Sequence, residues 1–161
     1  MMKSLIQLFA VTTLMMSILL QPTIAKDASA ISKDTALKAI GAFRSDPASP
    51  AAMPAARLVK EFAETSGDVR VIITKKAVPL ISHHELPLSE TGPLTAAFLV
   101  GNVRSQLLHH RIGDDAYAGG LQVIETYRQL QKKNSRLRIS EIEKFVELER
   151  AGKLKAYLSA P

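Results

Sequence analysis

The spacing of the apolar residues constrains the fold of this chain more than any other feature of its sequence. After residue 31 they mostly recur every three or four positions, as with Ala36, Ile40 and Phe43, and again with Val123 and Tyr127. Residues at this spacing lie on one face of an α-helix. The sequence therefore predicts that the folded part of the protein is all-α.

Local signals place the ends of these helices. Ser32 is a typical N-cap residue, the Asp114-Asp115 pair can cap a later helix, and Ser140 with Glu143 forms a capping box. Proline and glycine mark further boundaries. The predicted helices run from Ser32 to Phe43, from Pro54 to Gly67, from Pro93 to His110, from the Gly113–Asp115 turn to Lys133, and from Ser140 to Gly152, with a final apolar turn at Leu154–Leu158.

The length of the chain and its lack of cysteine narrow the class of protein further. The chain has 161 residues and no cysteine. The length suits one domain with one hydrophobic core. Without cysteine there is no disulfide scaffold, no thiolate zinc site and no cysteine nucleophile. We expect a single helical domain over residues 32–158, built from five or six helices and packed as a helical bundle or as a short array of αα-hairpins.

Two segments in the middle of the chain are harder to assign. The β-branched run Val71–Thr74 favours a strand, yet a helical pattern also fits Val69–Ile81, and a lone strand has no pairing partner in this chain. We therefore predict a helix over Val69–Ile81, with a strand as the alternative. Ser82–Gly92 contains Pro87 and several polar residues, which predicts an exposed loop.

The first residues have the order of a secretory signal peptide. Lys3 supplies a positive charge, Leu5–Leu20 is uncharged and mostly apolar, and small residues precede a cleavage site after Ala25. As a helix the apolar stretch spans about 24 Å, which is shorter than the roughly 30 Å hydrocarbon core of a bilayer. The sequence predicts export, a signal peptide over residues 1–25, a short disordered lead over residues 26–31, and no integral membrane segment after cleavage.

The four histidines lie in two adjacent pairs, His83-His84 in the predicted loop and His109-His110 at the end of a predicted helix. Imidazole is the commonest protein ligand for metals and a general base near neutral pH. One histidine of each pair, together with Glu85, would form a metal site if the loop folded over the helix end. However, the spacing matches no helical zinc motif, and histidines at a helix C-terminus also favour the helix dipole. The sequence therefore predicts no cofactor and keeps the metal site as an alternative.

Motifs for catalysis are missing from the sequence. It contains neither a G-x-S-x-G elbow nor a phosphate-binding glycine loop. The paired carboxylates of a glycosidase would have to come from Glu85, Glu90, Asp114 and Asp115. The two aspartates are explained by helix capping, and no apolar pocket is evident around the two glutamates. We therefore predict no catalytic residue.

Five basic residues and no acidic residue lie between Tyr127 and Ser140, in a chain whose formal net charge is +6. Such a run can contact anionic lipid headgroups, nucleic acid or an acidic protein partner. Cations near a helix end also favour its dipole and solubility. Export, an acidic stretch that follows and the scarcity of aromatics for stacking disfavour nucleic acid. The candidate binding residues are Arg128, Lys132, Lys133, Arg136 and Arg138.

Together these features predict an exported, non-enzymatic protein that binds another protein of the cell envelope. Two alternatives stay open. One is an enzyme without a recognisable motif, or a metal-binding protein, that uses His83 or His84 with His109 or His110. The other is a peripheral protein that binds an anionic lipid surface through the basic run.

Overall fold

The computed structural model describes residues 30–79 and 87–159, with the side chains of Leu88 and Glu90 excepted. The predicted signal peptide lies outside these residues. The described part contains six α-helices and no β-strand, which confirms the all-α prediction. None of the six is long and apolar enough to cross a lipid bilayer. The helices are α1 (Lys33–Ser45), α2 (Ala52–Thr65), α3 (Leu88–Leu108), α4 (Ala116–Lys133), α5 (Ser140–Arg150) and α6 (Leu154–Ser159).

Helices α3 and α4 form the central pair, and their backbones approach closely because glycines lie at the contact. A Cβ atom at Gly101 would lie 2.5 Å from the carbonyl oxygen of Ala118, and one at Gly119 would lie 2.7 Å from the ring of Phe98. Only glycine fits at distances this short. Helices α1 and α2 pack together against α3, while α5 and α6 pack against α4. The arrangement is consistent with a helical bundle or with an array of helical hairpins.

Each of the first five helices contributes one aromatic ring to a continuous hydrophobic core. These rings belong to Phe43, Phe62, Phe98, Tyr127 and Phe145. Large aromatic side chains dominate the energetics of such a core, and truncating one to alanine costs about 3–5 kcal/mol. Among the described aromatic residues, Tyr117 and Tyr157 alone are partly exposed. The aromatic residues are therefore used for packing rather than for stacking on a ligand.

The helix ends agree only in part with the sequence signals. Ser32 caps α1 as predicted, because its hydroxyl accepts a hydrogen bond from the Thr35 N–H at 3.1 Å. Helix α2 begins at Ala52, two residues before the predicted start. Helix α3 begins at Leu88. The exposed loop predicted over Ser82–Gly92 is therefore wrong for residues 88–92, and the rest of that prediction falls mostly outside the described residues.

The early start of α3 places Pro93 inside the helix, in its second turn. Proline has no N–H, so the helix loses the bond to the carbonyl of Ser89, a single interaction close to the helix start. The first turn is closed by the Thr91 N–H, which donates to the Pro87 carbonyl at 3.1 Å. Thr91 and Leu94 are both buried. Burial of this first part of α3 thus outweighs the helix-breaking tendency of Pro93.

The helix predicted over Val69–Ile81 is also wrong for the residues that the structure describes there. Residues 69–74 belong to no helix or strand, and a turn follows, in which the N–H groups of Ala77 and Val78 donate to the Thr74 carbonyl. We infer an extended backbone for residues 69–74, because Arg70 and Ile72, two positions apart, both bind partners on the same side. We call residues 69–74 the edge segment. Its β-branched residues favour extended backbone, but no strand pairs with it in the described part of the chain.

Candidate functional site

Side chains of α3 and of the loop between α3 and α4 hold the edge segment along one side. The amide of Gln106 binds both backbone groups of Arg70: its Oε1 accepts the Arg70 N–H at 2.9 Å, and its Nε2 donates to the Arg70 carbonyl at 2.8 Å. Two residues further on, the Ile72 N–H donates to Oδ1 of Asp114 at 2.8 Å. The amide and the carboxylate replace the backbone of a neighbouring strand. The segment is therefore paired along its inner edge by side chains alone.

A buried polar cluster supports these contacts. Gln106 is 1% exposed and Asn102 is fully buried. Nε2 of Gln106 also donates to Oδ1 of Asn102 at 2.7 Å, and Oε1 of Gln106 accepts the Gly113 N–H at 3.0 Å. Nδ2 of Asn102 donates to Asp114 at 2.8 Å, and its Oδ1 accepts the Asp115 N–H at 3.1 Å. Every described buried side-chain nitrogen or oxygen has a partner, so this cluster has a structural role.

Three residues at the end of α3 and the start of α4 have the side chains of a hydrolytic triad, but not its order. In such a triad the imidazole lies between the serine and the aspartate. Here Oγ of Ser105 donates directly to Oδ2 of Asp115 at 2.7 Å. Nδ1 of His109 lies 2.8 Å from the Ser105 carbonyl oxygen, so this nitrogen carries a proton and donates it. Nδ1 of His109 also lies 3.3 Å from the Ser105 hydroxyl, but its proton is directed to the Ser105 carbonyl, so the imidazole does not accept the serine proton and the three residues lack the order of a triad.

Asp115 caps α4, as the sequence predicted, and is ionised at neutral pH. Its Oδ1 accepts the Ala118 N–H at 3.1 Å, and Arg111 lies 2.7 Å from Oδ2. Burial acts to raise the pKa of Asp115, but the hydrogen bonds from Ser105 and Ala118 and the nearby Arg111 outweigh it and hold the pKa below its ordinary value of 3.8. The carboxylate therefore acts as a fixed negative charge in the cluster.

A cleft of about 630 Å³ lies between the edge segment, the start of α4 and α6. Its charged lining consists of Arg111 and Lys155 with Asp114 and Asp115. Both carboxylates are already occupied by the hydrogen bonds described above. The two carboxylates of the cleft therefore serve first as acceptors for backbone and side-chain donors of the protein itself.

The structure places only part of the predicted metal site. His83, His84 and Glu85 lie outside the described residues, so the metal site stays a prediction. His109 ends α3, and His110 adopts a φ of 51°, a left-handed conformation that terminates the helix. Within the described ranges, no three His, Asp or Glu side chains group as ligands for a metal ion.

The five residues of the predicted basic run are all exposed, and we call them the basic surface: Arg128, Lys132, Lys133, Arg136 and Arg138. Lys133 binds both carboxylate oxygens of Asp46 at 2.8 and 2.9 Å, which lowers the pKa of Asp46. Arg138 donates to the carbonyls of Ser135 and Leu137. The side chains of Arg128, Lys132 and Arg136 have no hydrogen-bond or ion-pair partner among the residues that the structure describes, and the backbone N–H of Arg136 donates to Oδ1 of Asn134.

The segment that carries the last two arginines is fixed from within the core. In Asn134–Ile139, Leu137 and Ile139 are buried while Arg136 and Arg138 are exposed. Residues 135 and 136 form a turn, in which the Leu137 N–H donates to the Asn134 carbonyl at 3.0 Å, and Ile139 has extended backbone. The arginines therefore point away from the protein because their apolar neighbours are anchored in it.

Tyr127 of α4 is the main polar anchor of Asn134–Ile139. Its hydroxyl accepts the Ile139 N–H at 3.1 Å and donates to Oε1 of Glu143 at 2.6 Å. Burial, together with the hydrogen bond to Glu143, raises the pKa of Tyr127 above its ordinary value of 10.0. The predicted capping box is consequently wrong. Ile139 occupies the N-cap position of α5, and the Ser140 hydroxyl bonds the side chain of Glu141.

Sequence reasoning missed the roles of Asn102, Gln106 and Tyr127. The available signal was a pair of amide residues four positions apart in an otherwise apolar helix, next to a β-branched run without a partner strand. Comparisons with protein-family models, with curated protein sequences and with solved structures give no match. Function is therefore inferred from the geometry of the site.

Proposed function

We propose that this chain is an exported, non-enzymatic binding protein that uses the basic surface to bind an acidic face of another protein of the cell envelope. The proposal rests on the exposure of three cations, Arg128, Lys132 and Arg136, and on their lack of an acidic partner among the described residues. Unpaired surface cations attract acidic partners and accelerate their association.

The local composition favours a protein partner over a membrane surface. Peripheral membrane proteins usually insert apolar side chains beside their cations. The large apolar residues exposed in the described part lie elsewhere, and the apolar residues between the cations, Leu130, Leu137 and Ile139, are buried. The basic surface can therefore attract anionic headgroups, but it has no described apolar residue to anchor in the bilayer.

The arrangement of the polar groups supports binding rather than catalysis. Ser105 donates to the Asp115 carboxylate directly, and the His109 imidazole does not lie between them as it would in a hydrolytic triad. The alternative enzyme or metal-binding protein, built on His83 or His84 with His109 or His110, stays open, because His83 and His84 lie outside the described residues. Nucleic acid is disfavoured because the described aromatic rings are mostly buried, and base stacking needs exposed rings.

Site-specific photocrosslinking in the producing cells tests the proposal. A photoreactive residue is placed at Lys132 and, as a matched control, at Lys60 on α2, whose side chain is also well exposed. We expect a covalent adduct with another envelope protein from position 132 only. Arg128→Glu together with Arg136→Glu should abolish that adduct, because charge reversal repels an acidic partner. Equal adducts at both positions, or none, would contradict the proposal.

Two further measurements separate the alternatives. Co-sedimentation with phosphatidylglycerol vesicles tests the lipid surface, and salt-sensitive binding lost with the same charge reversals would favour it over a protein partner. Mass spectrometry of the protein from the exported fraction tests the localisation, with an N-terminus at Lys26 expected. Additional mass equal to a metal ion would instead favour the histidine pairs as a site.

A further inference from the structure

We propose that the edge segment pairs with the same segment of a second copy of this chain, as two antiparallel strands related by a two-fold axis. This pairing goes beyond the proposed function and uses a different surface, because it involves residues 69–74 rather than the basic surface. The backbone of the segment, its exposed side chains and the charges at its two ends each support it.

The backbone of the edge segment has one satisfied edge and one open edge. In an extended chain, the N–H and C=O of one residue point to the same edge, and successive residues alternate between the two edges. Arg70 and Ile72 point to the inner edge, where Gln106 and Asp114 bind them. The backbone groups of Val71 and Ile73 therefore point to the outer edge. Neither residue has a hydrogen-bond partner in the described part of the chain.

Apolar side chains beside this open edge are exposed. Ile72 is 49% and Ile73 is 55% exposed, and Ile112 is 68% exposed. Ile112 lies close to the edge segment, because the neighbouring Gly113 N–H and the Arg70 N–H bind the same oxygen of Gln106. Exposed apolar groups beside unpaired backbone groups are the usual features of an edge that associates with another strand.

The charges at the two ends favour a second copy in the antiparallel direction. Asp68 precedes the edge segment and Lys75 follows it. Antiparallel pairing places the end with Asp68 in each copy beside the end with Lys75 in the other, whereas parallel pairing would place like charges at the same end. The segment and its flanks carry an anion, Asp68, together with the cations Arg70 and Lys75, so a second copy presents charges of both signs. With Val71 opposite Ile73 of the second copy, both outer-edge residues are hydrogen-bonded, and Ile72 faces its own equivalent.

A single cysteine tests the pairing directly, because the chain has no cysteine of its own. In Ile72→Cys the two thiols would meet in a pair without backbone hydrogen bonds, where the Cα atoms lie about 4.5 Å apart, within the range that a disulfide bridges. Leu58→Cys on α2 is the control, since Leu58 is also an exposed apolar residue. We expect mild oxidation to give a covalent dimer of Ile72→Cys and little of Leu58→Cys. Equal yields would overturn the proposal.

A proline substitution tests the hydrogen bonds of the open edge. Ile73→Pro removes one outer N–H and leaves the inner bonds of Arg70 and Ile72 in place, and extended backbone suits the residue before a proline. By sedimentation equilibrium we expect the purified protein to dimerise. Ile73→Pro should raise the dissociation constant at least about tenfold, which corresponds to about 1.4 kcal/mol.

Ile73→Val is the conservative variant, since it keeps both the N–H and a β-branched side chain, and we expect it to dimerise nearly as the unaltered protein does. Circular dichroism checks that all variants keep the helical fold. An unaltered protein that stays monomeric at every concentration would overturn the proposal, as would a dimer that Ile73→Pro leaves unchanged. Failure here would not affect the crosslinking from position 132, which tests the basic surface separately.

Discussion

Two segments join helices of this protein without regular structure, and they are held in similar ways. The edge segment, residues 69–74, lies between α2 and α3, and Asn134–Ile139 lies between α4 and α5. A buried side chain of the central pair binds the backbone of each. Gln106 binds the first segment, and Tyr127 binds the second.

The two segments differ in where their apolar side chains lie. Leu137 and Ile139 are 5% and 2% exposed, so Asn134–Ile139 is part of the core and turns its arginines outward. Ile72 and Ile73 are about half exposed. Similar anchoring by a side chain therefore produces two kinds of surface, a charged surface supported by buried neighbours and an apolar strand edge that still has backbone groups to satisfy.

Truncation of one isoleucine in each segment gives the largest test of this difference. Ile139→Ala should lower the free energy of unfolding by about 2–5 kcal/mol, because it leaves a cavity in the core. Ile73→Ala should change it by no more than about 0.5 kcal/mol, as expected of a surface residue. Urea unfolding of dilute protein, where a dimer would dissociate, measures both. Similar losses for the two variants would contradict the distinction.

Removal of the inner anchor should release the edge segment. Gln106→Leu leaves the backbone groups of Arg70 and the Gly113 N–H without their partner, so we expect a loss of about 3 kcal/mol in the free energy of unfolding. Amide hydrogen exchange should also accelerate at Arg70 and Ile72. Gln129→Leu is the control, because Gln129 makes one long bond, to the Arg44 carbonyl. Unchanged exchange at Arg70 would argue against the anchoring role.

Loss of the Tyr127 hydroxyl tests the second anchor with little change in packing. Tyr127→Phe leaves the buried Ile139 N–H unsatisfied, and we expect a loss of about 1–2 kcal/mol. Because the pKa of Tyr127 is raised in the folded state, this contribution is present below pH 10 and is lost as the pH rises through the folded pKa. The free energy of unfolding of the unaltered protein and of Tyr127→Phe is measured as the pH is raised above 10. The same dependence on pH in both proteins would contradict this prediction.

The smallest expected effect is the contribution of Asp115 to stability at acidic pH. The pKa of Asp115 is lowered in the folded state, so its contribution to stability is present above the unfolded pKa of about 3.9 and is lost as the pH falls through the folded pKa. Asp115→Asn should therefore lose less stability than the unaltered protein between neutral pH and pH of about 3. The exposed Glu61→Gln serves as control. A larger loss of stability in acid for Asp115→Asn than for the unaltered protein would contradict this prediction.

Local signals in the sequence were reliable where the deciding contacts are also local. The helical spacing predicted an all-α protein, and the caps at Ser32 and Asp115 are found as expected, because each cap bonds an N–H three residues away. The exposure of the basic run also follows from its charges, which are costly to bury.

The errors arose where distant residues decide the local structure. The capping box at Ser140 fails because Tyr127, in the preceding helix, binds Glu143 instead. The early start of α3 depends on burial of Thr91, which outweighs the signal of Pro93. In each case a contact between residues distant in the chain outweighs a local signal in the sequence.

The amino-acid sequence by itself determined the helical class, through the period of its apolar residues, and the charge of the basic run. Only the tertiary structure decided the conformation of Val69–Thr74, where helix and strand patterns were balanced. The buried amide of Gln106 on α3 and the exposed carboxylate of Asp114 in the loop after it bind one edge of that backbone, more than thirty residues away in the chain. A choice between two local conformations of similar free energy is settled by whichever one satisfies such buried polar groups, since leaving them unpaired costs about 1–3 kcal/mol each.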